Sequence, residues 1–159
     1  MTDMQWKKRL LVLTSVMAIA ACVTSCSGSE KLSRVGVESV IGAWEGKNGE
    51  TVRLQVDHRF TASGFDWGSL SSWDGCPQGE GAGRWAFWGS DPDSPETSSA
   101  LDKYVEGDTV NLSFEGVEQG TCLINLNAID EGSSLCLSDD IEIPCSLDIR
   151  LVRQNSAAS

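Results

Sequence analysis

The chain holds 159 residues, with 12 Lys and Arg against 23 Asp and Glu, one His, six Cys and 16 Gly. That length allows a single domain. A formal charge of −11 excludes nucleic acid as a partner, because such a binder needs Lys and Arg to displace the counterions of phosphates.

Lys7, Lys8 and Arg9 form a positive cluster ahead of the uncharged run Leu10 to Ala21. This is the layout of a signal peptide, and the run is shorter than the about 20 apolar residues of a permanent membrane span. Ile19-Ala20-Ala21-Cys22 and Val23-Thr24-Ser25-Cys26 both place small residues directly before a cysteine. Both resemble the lipobox of bacterial lipoproteins. The resemblance implies a diacylglyceryl-cysteine that becomes the membrane-anchored N-terminus once the preceding peptide is cleaved.

Cysteine parity favours Cys26 over the alternative Cys22. Cleavage before Cys26 leaves Cys76, Cys122, Cys136 and Cys145, an even set for an oxidising compartment, whereas cleavage before Cys22 strands Cys26 as an odd thiol. The expected division is a signal peptide over 1–25, a lipidated cysteine with a polar tether over 26–37, a β domain over 38–154 and a tail over 155–159. The exported part keeps nine basic against 22 acidic residues, a net −13. Anionic headgroups would repel it, so its lipid has to hold it to the bilayer.

From Val40 onward the hydrophobic signal has period two, and Gly, Asn, Asp and Ser clusters interrupt it, which is the all-β pattern. Val40, Gly42 and Trp44 alternate first; Asn48-Gly49 then offers the positive φ angles of a tight hairpin, and Val52, Leu54 and Val56 alternate after it. Phe60 and Ala62 follow the turn Asp57-His58-Arg59. A glycine-rich loop over 66–82 carries Trp67, Trp73 and Cys76. Trp85 and Phe87 share one face of the next strand, with Arg84, Ala86 and Trp88 on the other, and Ser90 to Ala100 reads as a polar connection. Val110, Leu112 and Phe114; Cys122, Ile124 and Leu126; Leu135 and Leu137; and Leu147, Ile149 and Leu151 supply the remaining strands. About eight antiparallel strands are expected, arranged as an up-and-down barrel or, alternatively, a β-sandwich. A barrel leaves no edge to pair with another copy, so a monomer is expected.

Gly42-Ala43-Trp44 resembles the Gly-x-Trp signature on the first strand of lipocalins and their calycin relatives. That resemblance implies a lipocalin-like barrel in which Arg153, at the end of the last strand, packs over Trp44 and closes one end. The tyrosine usual after the tryptophan and the family's Thr-Asp second motif are both missing. A barrel of this size can enclose a small ligand or be filled by its own side chains.

Four cysteines allow three connectivities. Cys136 with Cys145, across a turn, and Cys76 with Cys122 are the expected bridges, the other two pairings staying open. Without Cys-x-x-Cys spacing, and with His58 far away in sequence, no metal site is expected. His58 lies between Asp57 and Arg59 and reads as a solvated turn, since no nucleophile motif accompanies it. The clusters Asp91, Asp93, Glu96 and Asp139, Asp140, Glu142 lack the spacing of a calcium loop and read as exposed turns. No catalytic residue and no cofactor is therefore assigned. Trp67, Trp73 and Trp88 either line a ligand mouth or partner patch, or serve as loop packing. The expected function is that of a non-enzymatic binding module for a protein or small apolar ligand, lipid-anchored on the extracytoplasmic face of the cell membrane. An inhibitor or immunity-type protein and a carboxylate-based hydrolase are the alternatives.

Overall fold

The computed structural model describes residues 30–91 and 93–154. The signal peptide, Cys22, Cys26 and the tail over 155–159 lie outside the described residues. Strand β1 (Val35–Gly36) leads into a single helical turn, α1 (Val37–Val40), and then β2 (Gly42–Gly46), β3 (Thr51–Leu54) and β4 (Arg59–Ser63) follow as a meander. A second short helix, α2 (Trp67–Leu70), precedes the long β5 (Gly81–Asp91), which turns back as β6 (Ser94–Ala100). After β7 (Glu106–Gly107) come β8 (Thr109–Phe114), β9 (Ile124–Ile129), β10 (Ser134–Ser138) and β11 (Arg150–Arg153).

Eight of these strands close into an antiparallel up-and-down barrel. Its order is β2, β3, β4, β5, β8, β9, β10 and β11, and β11 returns to pair with β2. Inward residues alternate as the period-two signal predicts: Val52 and Leu54, Phe60 and Ala62, Trp85 and Phe87, Val110 and Leu112, Ile124 and Leu126, Leu135 and Leu137 are all buried. Phe60 meets Phe114 edge to face at 5.3 Å, and Trp85 meets Phe87 at 5.9 Å, the geometry that aromatic quadrupoles favour.

The first hairpin forms where Asn48-Gly49 sits, with Trp44 opposite Val52 and Gly49 at φ +92°. The Glu50 carboxylate accepts from the Asn48 backbone N–H at 2.9 Å and from its Nδ2 at 3.0 Å. Burial works against this charge, but a bond from its own backbone N–H together with those from Asn48 outweighs it and holds the Glu50 carboxyl below its usual pKa.

The sequence expectation fails in several places, and Leu147 and Ile149, expected in the last strand, precede β11. Val40 belongs to α1 rather than to a strand, and its carbonyl accepts the Trp44 Nε1–H at 2.8 Å. Val56 is 75 % exposed, because the chain already turns at Gln55, whose N–H bonds the Arg59 carbonyl, and His58 adopts φ +63°. Ser90 to Ala100 is not a connection but a hairpin arm, with Trp88 opposite Ala100 and Ser90 opposite Ser98. β4 pairs with β5 only over 81–84, so the arm runs beyond the barrel wall, where no core enforces apolar alternation. The segment expected as a free tether is folded from Glu30 onward: Ser33 N–H bonds the Ala128 carbonyl, Val35 pairs with Gly107, and Glu30 engages Arg150.

Candidate functional site

Both ends of the barrel are closed. At the α1 end the Arg153 guanidinium lies 4.8 Å from the centre of the fully buried Trp44 ring, and Nη1 donates to the Ile41 carbonyl at 2.9 Å. Nη2 donates to the Ser39 carbonyl, so the fork also ties down α1. A cation on an indole face contributes about 0.5–2 kcal/mol depending on desolvation.

At the opposite end, α2 carries Trp67 into the lumen. Of the two roles the sequence leaves open for it, mouth or packing, Trp67 takes packing: it is 0 % exposed, stacks on Phe65 at 4.1 Å and meets Phe114 edge to face at 5.3 Å. A Cβ on Gly81 would approach the Phe114 ring to 2.5 Å, so glycine at that position lets the plug seat. Its amphipathic indole goes inward because the loop turns back over the end of the barrel, a placement that strand periodicity does not encode. The lumen is thus occupied by side chains and capped.

Trp73 and Trp88 meet on the outside. They line one groove of about 600 Å³ on the outer wall of β8, between β6 and the loop over 115–123. Trp88 leaves β5 outward, and its Nε1–H reaches across β8 to the Asn125 Oδ1 on β9 at 3.0 Å. Asn111 on β8 donates to the same oxygen at 3.2 Å and accepts from Ser113 at 3.1 Å. Trp73 donates its Nε1–H to the Asp139 carbonyl at 3.1 Å. Both indoles are therefore fixed by bonds directed into the protein.

Two covalent and polar clamps position the groove. The disulfide Cys76–Cys122 joins the Trp73 loop to the loop that carries Glu118 and Gln119, and Gly75 N–H bonds the Thr121 carbonyl at 3.1 Å beside it. Thr121 in turn donates through Oγ1 to the Glu118 carbonyl at 2.7 Å, which stiffens the turn. The disulfide Cys136–Cys145 pins the loop over 139–146 onto the outer wall, where the Pro144 carbonyl accepts from Asn127 at 2.8 Å. Both bridges join the partners expected from the sequence.

Asp139, expected as one of three acids on an exposed turn, instead links the two loops. Its carboxylate accepts from the Ser72 N–H at 2.8 Å, the Ser72 hydroxyl at 2.9 Å and the Ser146 hydroxyl at 2.7 Å. Partial burial raises its pKa, but these bonds more than reverse that and hold the carboxyl below its ordinary range. Sequence reasoning also missed Asn111 and Asn125. Amides at outward positions of adjacent strands were the available signal.

His58 stacks on Trp85 at 4.4 Å, and its Nδ1 lies 3.1 Å from the Trp85 carbonyl and 3.7 Å from Asp102. Two further grooves, of about 580 and 530 Å³, run along the outer wall of β3, β4 and β5. In the first, Arg59 and Arg84 stand in register, and Asp57 and Asp102 offset their charges. Among the described residues no group of three or more His, Cys, Asp and Glu side chains could hold a metal ion. Comparison with protein-family models, curated proteins and solved structures finds no match for this chain.

Proposed function

We propose that the protein is a lipid-anchored extracytoplasmic binding module, without enzymatic activity, that recognises its partner on the outer wall of the barrel rather than inside it. The observation that carries this reading is the closure of the lumen: Trp67 fills one end, and Trp44 beneath Arg153 fills the other. A carrier of small apolar ligands needs an enclosed cavity of about 300–1,000 Å³ lined by apolar side chains, and the grooves described here are external. The lipobox-like segment ending at Cys26 supports the anchoring part of the proposal, through the two or three acyl chains that stable attachment requires.

Two experiments test the two halves. Cells expressing Cys26→Ala should lose incorporation of an alkyne-tagged fatty acid, while Cys22→Ala should keep it; undiminished labelling of Cys26→Ala refutes the anchor. Titration of the full chain with a fluorescent fatty acid should give no saturable one-to-one uptake. Saturable uptake that a bulky apolar competitor displaces refutes recognition on the outer wall.

A further inference from the structure

Resting on that outer-wall reading, we infer that the groove between Trp73 and Trp88 binds a neutral oligosaccharide or polysaccharide chain. Both indole N–H groups are spent on protein acceptors, Asp139 and Asn125, so what the two rings present to a ligand is carbon surface in a fixed orientation. A flat, rigid apolar surface is the complement of the C–H face of a pyranose ring. Fixing it in advance removes the ordering cost that a free side chain would incur on binding.

The polar part of the groove matches the rest of a sugar. Ser98, Ser99 and Ser113 are among the residues of the wall, the Ser113 hydroxyl donating to Asn111 at 3.1 Å, and Glu118 and Gln119 stand at the rim with planar carboxylate and amide groups that can engage two neighbouring hydroxyls at once. Among the described residues no Lys, Arg or His lines the groove, and the chain as a whole carries −11, so an anionic ligand finds no countercharge there. A protein partner is the weaker fit, since the buried centres of protein interfaces are depleted in serine and this groove has three. The volume of about 600 Å³ falls in the range of small-molecule sites, and the position on the outer wall suits a chain that continues past the groove.

The test uses the full lipidated chain in a polyoxyethylene detergent, which has no sugar head, titrated by calorimetry. The probes are linear hexasaccharides of β-1,4-glucose, β-1,4-mannose, β-1,4-N-acetylglucosamine and α-1,4-glucose. At least one should bind saturably, and Trp73→Ala and Trp88→Ala should each weaken it by at least about tenfold. Gln119→Ala, on an exposed turn, should weaken binding severalfold with no change in the thermal midpoint, which separates lost contact from lost folding. Absence of binding by all four at millimolar concentration, or affinity indifferent to all three substitutions, overturns the inference. So does a benzophenone cross-linker at position 119 that captures a discrete polypeptide in cells without any glycan binding; that outcome leaves outer-wall recognition standing, whereas fatty-acid uptake into the lumen removes it.

Discussion

Replacing Trp67 separates packing from hydrogen bonding at the barrel plug. Trp67→Ala removes a fully buried indole that Phe65 and Phe114 enclose, and truncations of this kind cost about 3–5 kcal/mol. The Trp67 Nε1–H has no hydrogen-bond partner among the described residues, and an unpaired buried donor costs about 1–3 kcal/mol. Losing that donor offsets part of the cavity cost, leaving a net destabilisation centred on about 2 kcal/mol, and at most about 4 kcal/mol, for Trp67→Ala. Trp67→Phe keeps an aromatic ring in place and loses the same donor, so its two effects cancel to within about 1 kcal/mol. At about 3–5 °C per kcal/mol for a domain of this size, the alanine variant melts about 6–10 °C lower, and at most about 20 °C lower, with the phenylalanine variant within about 5 °C of the parent. Urea unfolding followed by circular dichroism measures both differences, and benzene uptake by Trp67→Ala alone reports the opened cavity. Equal losses in the two variants refute the reasoning, for they would mean that the N–H rather than the ring holds the plug.

Arg153→Ala should cost about 1–3 kcal/mol in the same urea assay, from the indole contact plus the bonds to the α1 carbonyls, and Arg153→Lys should recover only part because an ammonium cannot hold both carbonyls. Removing the Cys76–Cys122 bridge, with a sequence separation of 46, should cost about 4 kcal/mol in the chain-entropy model. The Cys136–Cys145 bridge, with a separation of 9, should cost about 2.6 kcal/mol in that model, so paired Cys→Ser variants compared by urea midpoints should rank in that order. Asp139 and Glu50 both have lowered carboxyl pKa values in the fold, so the stability they add is present above their ordinary values of 3.8 and 4.5 and is lost as pH falls through the lower folded values. Unfolding scans across that acid range should show a shallower decline for Asp139→Asn, together with lower stability at neutral pH; an unchanged acid slope speaks against the latch.

Strand identity was legible wherever one face is buried, because a pleated chain with a core on one side must alternate. Trp85 with Phe87 and Val110 with Leu112 could be assigned inward from parity alone, and Asn48-Gly49 marked its hairpin because few residues tolerate positive φ. The arm over Ser90 to Ala100 could not be read, since a strand with no core beneath it has no reason to alternate. Parity places Trp88 outward, but its meeting with Trp73 leaves no trace in the sequence: the two are brought into one groove by different strands and loops.

The local pattern by itself determined the class of the fold and most of its inward faces, since period two is a property of neighbouring residues. The Gly-x-Trp resemblance added the expected contact between Trp44 and Arg153. Only the tertiary structure decided that Trp67 plugs the lumen, that Asn125, Asn127 and Ile129 are buried on the outer face of β9, and that Asp139 latches onto Ser72. Each depends on segments far apart in sequence folding back over the wall, the N-terminal stretch from Glu30 and the loop held by Cys136–Cys145 among them. Burial of an outward face is set by what covers it, and that covering leaves no periodic trace in the strand it covers.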